Sequence, residues 1–251
     1  MRLLIDIGNT RVKWATCDDR GIGAMRAASY ANWTEHDVRQ HVLMHDTPVA
    51  EVLVSNVGGN AIARLIGDTV RAAWAVEPVF VRARAFQCGV RNGYRQPEQL
   101  GVDRWLSVLA AYDATHAAVC VVSVGTATTV DAVTSAGEHL GGVIVPGPEL
   151  MIASLMKNTS DIADRARDDD VGASLFADST LSAIYQGANY ALAALVERAA
   201  EALQRRCGVS PAIVLTGGAS TRIDSTLRLA YRTIPDLVLR GLALVAQESK
   251  S

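Results

Sequence analysis

Leu3-Leu4-Ile5-Asp6-Ile7-Gly8-Asn9-Thr10-Arg11-Val12-Lys13-Trp14-Ala15-Thr16 decides how the chain is read. Residues 3–7 are an apolar run of strand length, 8–10 carry turn chemistry, and 11–16 alternate, which predicts a β-hairpin. The device returns about half the chain later. Val119–Val124 is again apolar, Gly125-Thr126 is a turn, and 128–133 is a β-branched return strand closed by Ser135-Ala136-Gly137. LLIDIGNTRVKWAT at 3–16 and VVSVGTATTVDAVT at 121–134 therefore read as an internal repeat of two similar domains. On the repeat alone, two unrelated hairpins that look alike remain an alternative.

Outward from these hairpins, strands and helices alternate. Helical periodicity covers 32–45, 61–73 and 100–116, with strands at 51–56 and 78–81 and a loop at 92–99. Beyond the second hairpin, 142–145 reads as a strand and 148–156 as a helix. The charged run 164–170 reads as a solvated loop or helix end. Residues 180–207 form a long amphipathic helix stopped by Gly208. A strand at 212–216 ends on Gly217-Gly218, and an apolar helix lies around 237–246. This order predicts an α/β protein of two similar domains, 1–116 and 117–251, with no Gly/Ser linker between them.

The chain has 251 residues, enough for a sizeable core without disulfide staples. With 24 Lys+Arg against 26 Asp+Glu and an isoelectric point near 6.2, it lacks a basic nucleic-acid footprint. Aromatic residues are only 5%, which argues against base-stacking platforms. Cys17, Cys88, Cys120 and Cys207 are scattered, form no CxxC pair and fit a reducing compartment. Asp6 interrupts the N-terminal apolar run too early for a secretory signal, and runs such as 117–122 are too short to span a bilayer. The expectation is a soluble cytoplasmic protein without nucleic-acid or membrane partners.

Common catalytic signatures are absent: no GxxxxGK[ST], GxGxxG, HExxH, GxSxG or HRD occurs. His36, His41, His45, His116 and His139 read as surface or helix-end residues. Asp6 is the strongest candidate, because an acid at the end of a buried strand is costly unless it is paired or holds a cation. Gly8 permits close backbone approach, and turn N–H groups can cradle phosphate oxygens. Thr10 adds a hydroxyl and Lys13 a positive charge. The plain alternative is a hairpin turn capped by Asp6. Gly125-Thr126 and Gly217-Gly218 add two further glycine turns after strands, and together the three suggest a nucleotide held in a cleft between domains. In Gly101-Val102-Asp103-Arg104-Trp105, an acid and an arginine stand at a helix start, as a base and an anion clamp would; a helix-start Asp beside a surface Arg is the plain alternative.

Five strings together resemble the type III pantothenate kinases, whose proteobacterial members were also called Bvg accessory factors. They are DIGNTRVK at 6–13, NGYRQPEQLGVDRW at 92–105, VGTATTVD at 124–131, GGVIVPG at 141–147 and DSTLSAIYQG at 178–187. The resemblance implies a duplicated RNase-H-like fold of the actin-like ATPase class, with a cleft between the two domains. It implies transfer of the ATP γ-phosphate to the 4′-hydroxyl of pantothenate, the first step of coenzyme A synthesis. Carried over, Asp6, Ile7, Gly8, Asn9, Thr10, Arg11, Val12, Lys13 and Thr126 bind ATP phosphates. Asp6 organises Mg²⁺ through ATP. Since Mg²⁺ takes one or two carboxylates, Asp131 is a candidate second acid, with a solvent-facing strand residue as the plain alternative. Asp103 is the base, and Tyr94, Gly101, Val102, Asp103 and Arg104 hold pantothenate. Thr180 matches a substrate-binding threonine supplied by the partner subunit, which implies a homodimer with the substrate site near its interface. The family usually carries an Asp where this chain has Ser123, and that Asp helps bind a monovalent cation, so dependence on K⁺ or NH₄⁺ is in question. Gly217-Gly218 is the candidate for the adenine pocket, by fold analogy. The competing readings are a nucleotide-binding regulator and another small-molecule kinase on the same fold.

Overall fold

The computed structural model describes residues 1–43, 49–158 and 174–248. The charged run at 164–170 lies outside them. Its contacts divide into two compact units. The first comprises Met1–Ala114 and the C-terminal segment from Asp236; the second is Thr115–Pro235.

The first unit opens with β1 (Arg2–Ile7) and β2 (Arg11–Asp18), followed by β3 (Gly21–Ile22), β4 (Arg26–Ser29) and the short helix α1 (Glu35–His41). Then come β5 (Glu51–Asn56), α2 (Asn60–Trp74), β6 (Val79–Phe80), the two-strand ribbon β7 (Phe86–Gln87) and β8 (Val90–Arg91), and α3 (Val102–Thr115). The sheet order is β3-β2-β1-β5-β6, with β4 also on β2. β1 runs antiparallel to β2 and parallel to β5. A central strand is covered on both faces, so apart from Arg2 and Asp6 its sequence is apolar: Leu3, Leu4, Ile5 and Ile7 are fully buried. The core gathers Ile5, Val12, Val54, Ile66 and Val70 under α2.

The second unit contains β9 (Val119–Val124), β10 (Ala127–Val133), β11 (His139–Pro146), α4 (Pro148–Asn158), α5 (Thr180–Cys207), β12 (Ala212–Thr216) and β13 (Arg232–Thr233). Its sheet runs β11-β10-β9-β12-β13. β9 pairs antiparallel with β10 and parallel with β12, the same local plan as β1 with β2 and β5. The internal repeat is thus a repeat of topology. α5 starts at Ser179, whose hydroxyl accepts from the N–H of Ser182 at 3.3 Å, and stops at Gly208 with φ 73°. Its apolar stripe packs Leu192, Val196 and Leu203 onto Val122, Val124 and Leu215.

Several expectations need correction. The last helix, α6 (Leu237–Glu248), packs on β1 and β5 of the first unit, so the second unit ends at Pro235 and not at the C-terminus. Its apolar stripe could cover either sheet, and the chain carries no linker to say which. A β-carbon on Gly241 would lie 2.2 Å from the carbonyl oxygen of Leu106, so α6 crosses α3 too closely for any other residue there. The helix expected over 32–45 spans only Glu35–His41 in the described residues, because Thr34 and Asp37 form a capping box that starts it late. α3 starts at Val102 rather than 100, after a 3₁₀ turn over Pro97–Gln99 that leaves Leu100 extended. The short strands β3, β4, β7, β8 and β13 have no signature in the sequence, since two to four residues carry no usable period. His139 is not on the surface; it is 2% exposed and its Nε2 lies 2.9 Å from Asp131 Oδ1. Asp131 is equally buried, on β10, so it neither faces solvent nor stands ready as an open metal ligand.

Candidate active site

Strand pairing assembles the first half of the site. Asp6 lies opposite Lys13 on β2 and opposite Ser55 on β5. The Ser55 hydroxyl donates to Asp6 Oδ1 at 3.1 Å, and the Lys13 ammonium stands 4.0 Å from Oδ2. Asp6 is 5% exposed. Burial pushes its carboxyl up to about 6; Lys13 and the Ser55 hydroxyl pull it down less, and the nearby Asp103 carboxylate adds to the rise.

Asp6 leads into the turn 8–10. Gly8 N–H donates to the Arg11 carbonyl at 3.0 Å, closing the hairpin. Asn9, Thr10 and Arg11 are exposed, and Gly8 and Lys13 half-buried. The side chains of Ile7 and Val12 are wholly buried in the core, so these two can offer a ligand only backbone atoms.

Asp103 enters from the first turn of α3, where the helix dipole favours a carboxylate. The backbone N–H of Arg104 donates to Asp103 Oδ1 at 2.8 Å. A β-carbon on Gly101 would lie 2.9 Å from that same oxygen, so glycine makes room for the acid. Arg104 is 7% exposed; its Nη1 donates to the Tyr94 hydroxyl at 2.8 Å, and its guanidinium lies over the Tyr94 ring at 5.7 Å. Asn92 holds this loop in shape. Its side-chain amide donates to the carbonyls of Arg84 and Pro97, and its Oδ1 accepts from Tyr94 N–H. Gly101 and Val102 also border an open pocket of about 740 Å³, shared with Asn56, Arg64, Phe80 and Arg82. Asp6 and Asp103 do not line it.

The second unit builds a matching turn. Gly125 N–H donates to the Ala127 carbonyl at 3.1 Å. Two glycines press against this turn: a β-carbon would lie 1.9 Å from Gly125 O at Gly147, and 2.2 Å from Val124 O at Gly217. Thr126 is exposed at its tip. Ser123 lies opposite Thr129 on β10 and Thr216 on β12, the position Asp6 holds in the first unit. Among the described residues the Thr128 hydroxyl is buried without a partner. Thr180 is the first residue of α5.

The structure therefore brings Asp6, Lys13 and Asp103 into one electrostatic group, with Tyr94, Gly101 and Arg104 in one loop-to-helix junction. Thr126, Ser123 and Thr180 belong to the second unit. Ser55, Asn92 and Gly147 were not assigned roles from the sequence. Asn92 and Gly147 left a signal, as members of the 92–105 and 141–147 strings; Ser55 left none.

A divalent cation suits Asp6. Its carboxylate is buried, and its neighbours leave the charge undercompensated. Among the described residues no three His, Cys, Asp or Glu side chains cluster as a metal cage. Mg²⁺ does not require one, since it takes one or two carboxylates and fills the rest with phosphate oxygens and water.

The profile of the type III pantothenate kinase family matches residues 2–202. A type III pantothenate kinase from Nitrosococcus oceani is 37% identical over 99% of this chain and 95% of its own length. Among solved structures, a Baf family protein from Campylobacter jejuni superposes with a TM-score of 0.61 at 22% identity, covering 99% of this chain and 98% of that one. Component A of the (R)-2-hydroxyglutaryl-CoA dehydratase of Acidaminococcus fermentans superposes with a TM-score of 0.55 at 14% identity, covering 100% and 99%. These likenesses identify the duplicated actin-like ATPase fold. With family profile and curated relative agreeing over most of its length, the chain belongs to the type III pantothenate kinases, ATP-dependent enzymes of coenzyme A synthesis.

Proposed function

We propose that this pantothenate kinase uses Asp103 as the base that takes the proton of the acceptor hydroxyl as the ATP γ-phosphate is transferred. The observation that carries this reading is the neighbourhood of two carboxylates with separate tasks. Asp6 is buried and charge-strained beside the phosphate turn, while Asp103 is half-buried at a helix start beside Gly101. Phosphoryl transfer asks a protein mainly for positioning and charge stabilisation. Turn 8–10 with Lys13, and Thr126 in the second unit, bind phosphate oxygens. Arg104 pairs with the acceptor's carboxylate, steadied by Tyr94; Gly101 and Val102 line the acceptor. Mg²⁺ bound with ATP supplies charge neutralisation on the phosphates, and Asp6 is its protein anchor.

The same reading includes a homodimer in which Thr180 of one subunit serves the acceptor site of the other. Exposed apolar side chains on the second unit support a covered surface: Leu140 and Ile144 on β11, and Leu150 and Leu155 on α4. It also includes a weakened response to K⁺ or NH₄⁺, since Ser123 offers a neutral hydroxyl. Work in the cytoplasm fits four free thiols. Among the described residues no helix is long and apolar enough to cross a membrane. ATP turnover measured with and without pantothenate tests the whole reading. The expected result is ADP release that depends on pantothenate; turnover indifferent to it overturns the reading.

A further inference from the structure

We infer that Tyr30 is a positioning residue for ATP: its hydroxyl clamps two carbonyls of the 8–10 turn so that the next two backbone N–H groups face the phosphates. The inference rests on the kinase reading and deepens its nucleotide half. β4 pairs with β2, placing Ser29 opposite Arg11. The next residue, Tyr30, is thereby delivered to the turn. Its hydroxyl oxygen lies 2.8 Å from the Gly8 carbonyl oxygen and 2.7 Å from that of Asn9. The single hydroxyl proton is shared between the two in a three-centre bond.

A trans peptide is planar, so its carbonyl and its N–H point in opposite directions. Drawing the Gly8 and Asn9 carbonyls onto Tyr30 therefore turns the N–H groups of Asn9 and Thr10 to the other side. Among the described residues neither of these N–H groups has a hydrogen-bond partner. Two successive N–H groups aimed the same way make an anion-binding concavity. The neighbouring Ile7 carbonyl is held as well, by the N–H groups of Val57 at 2.9 Å and Gly58 at 3.1 Å. Gly58 completes the clamp: a β-carbon there would lie 2.5 Å from Gly8 O and 2.7 Å from the Tyr30 hydroxyl oxygen. The carbonyls of residues 7–9 are thus gripped by groups 21 to 51 positions away, and the N–H groups of Asn9 and Thr10 are left for a ligand.

Tyr30→Phe removes one oxygen and keeps the ring that packs on the core. The test measures binding of a non-hydrolysable ATP analogue with Mg²⁺ by calorimetry, together with kcat, KM for each substrate and Tm, on the full chain. The expected result is about tenfold weaker analogue binding and a matching rise in KM for ATP. The KM for pantothenate and kcat stay within about twofold, and Tm changes little. Gly58→Ala, which crowds the same clamp, is expected to weaken analogue binding in the same direction. Analogue affinity in Tyr30→Phe within about twofold of wild type overturns the inference, as does no analogue binding by wild type. A large fall in Tm with both KM values raised alike assigns Tyr30 a merely structural role and also overturns it. Wild type that binds the analogue but does not phosphorylate pantothenate refutes the kinase reading alone, and the binding comparison still decides the clamp.

Discussion

Lys13 and Asp6 face each other across the first hairpin, with the ammonium 4.0 Å from Asp6 Oδ2, and burial still outweighs their attraction. The Asp6 carboxyl is pushed up to about 6 in the folded chain. A folded-state pKa above the unfolded one favours folding only while the group is protonated. That contribution is full below the usual carboxylate range and is lost as pH rises through about 6. Asp6→Asn removes the cost of burying the charge. By urea unfolding the variant is expected to be more stable than wild type at about pH 8, by up to about 3 kcal/mol, with the gap closing towards about pH 4. A variant less stable at the higher pH would show that Lys13 wins.

Asp103→Asn keeps the shape of the side chain and removes its basicity. The expected loss in kcat is about 10²-fold or more, with fold and oligomeric state retained. Because the Asp103 charge helps raise Asp6, the same variant should also lower the Asp6 pKa, read from carboxyl NMR. Mixed with an inactive Thr180→Ala chain, Asp103→Asn should recover partial activity, since one of the two shared sites then holds both native groups. Proven subunit exchange without recovery counts against a site built from two subunits.

Ser123→Asp restores a carboxylate beside the second turn. Wild type is expected to respond to K⁺ only weakly, at high concentration or not at all, and the variant to saturate at lower concentration. Titration of KCl against a large organic cation at constant ionic strength measures this. Tight saturation in wild type, unchanged in the variant, would refute a role for this position.

His139→Ala strips a ring nitrogen from a buried carboxylate at 2.9 Å and opens a cavity on the sheet. The expected cost is about 3 kcal/mol in urea unfolding. A change below about 0.5 kcal/mol, the range of ordinary surface positions, would mean the pair is replaceable by water.

Local chemistry made some of this molecule legible. The 3–16 hairpin declares itself through a strand-length apolar run, a three-residue turn and an alternating return, all within one stretch of chain. The stop of α5 at Gly208 is equally local, a residue that accepts positive φ where a helix must end. The grouping of Tyr94, Gly101, Asp103 and Arg104 at one loop-to-helix junction is legible in the 92–105 string because its members are neighbours along the backbone. His139 reads as a surface residue in the sequence for the opposite reason. Its burial depends on the bulge between Ala132 and Val133, which sets it opposite β10 within reach of Asp131.

Sequence by itself determined the duplicated hairpins and the α/β alternation, because each is written in residues close together in the chain. Tertiary structure alone decided that Ser55 shares a hydrogen bond with Asp6, that Tyr30 grips the first turn and that α6 belongs to the first unit. Each of these joins segments far apart in sequence through strand register and shared burial. A periodic pattern shows which face of an element is buried, and only the packed chain selects the partner that buries it.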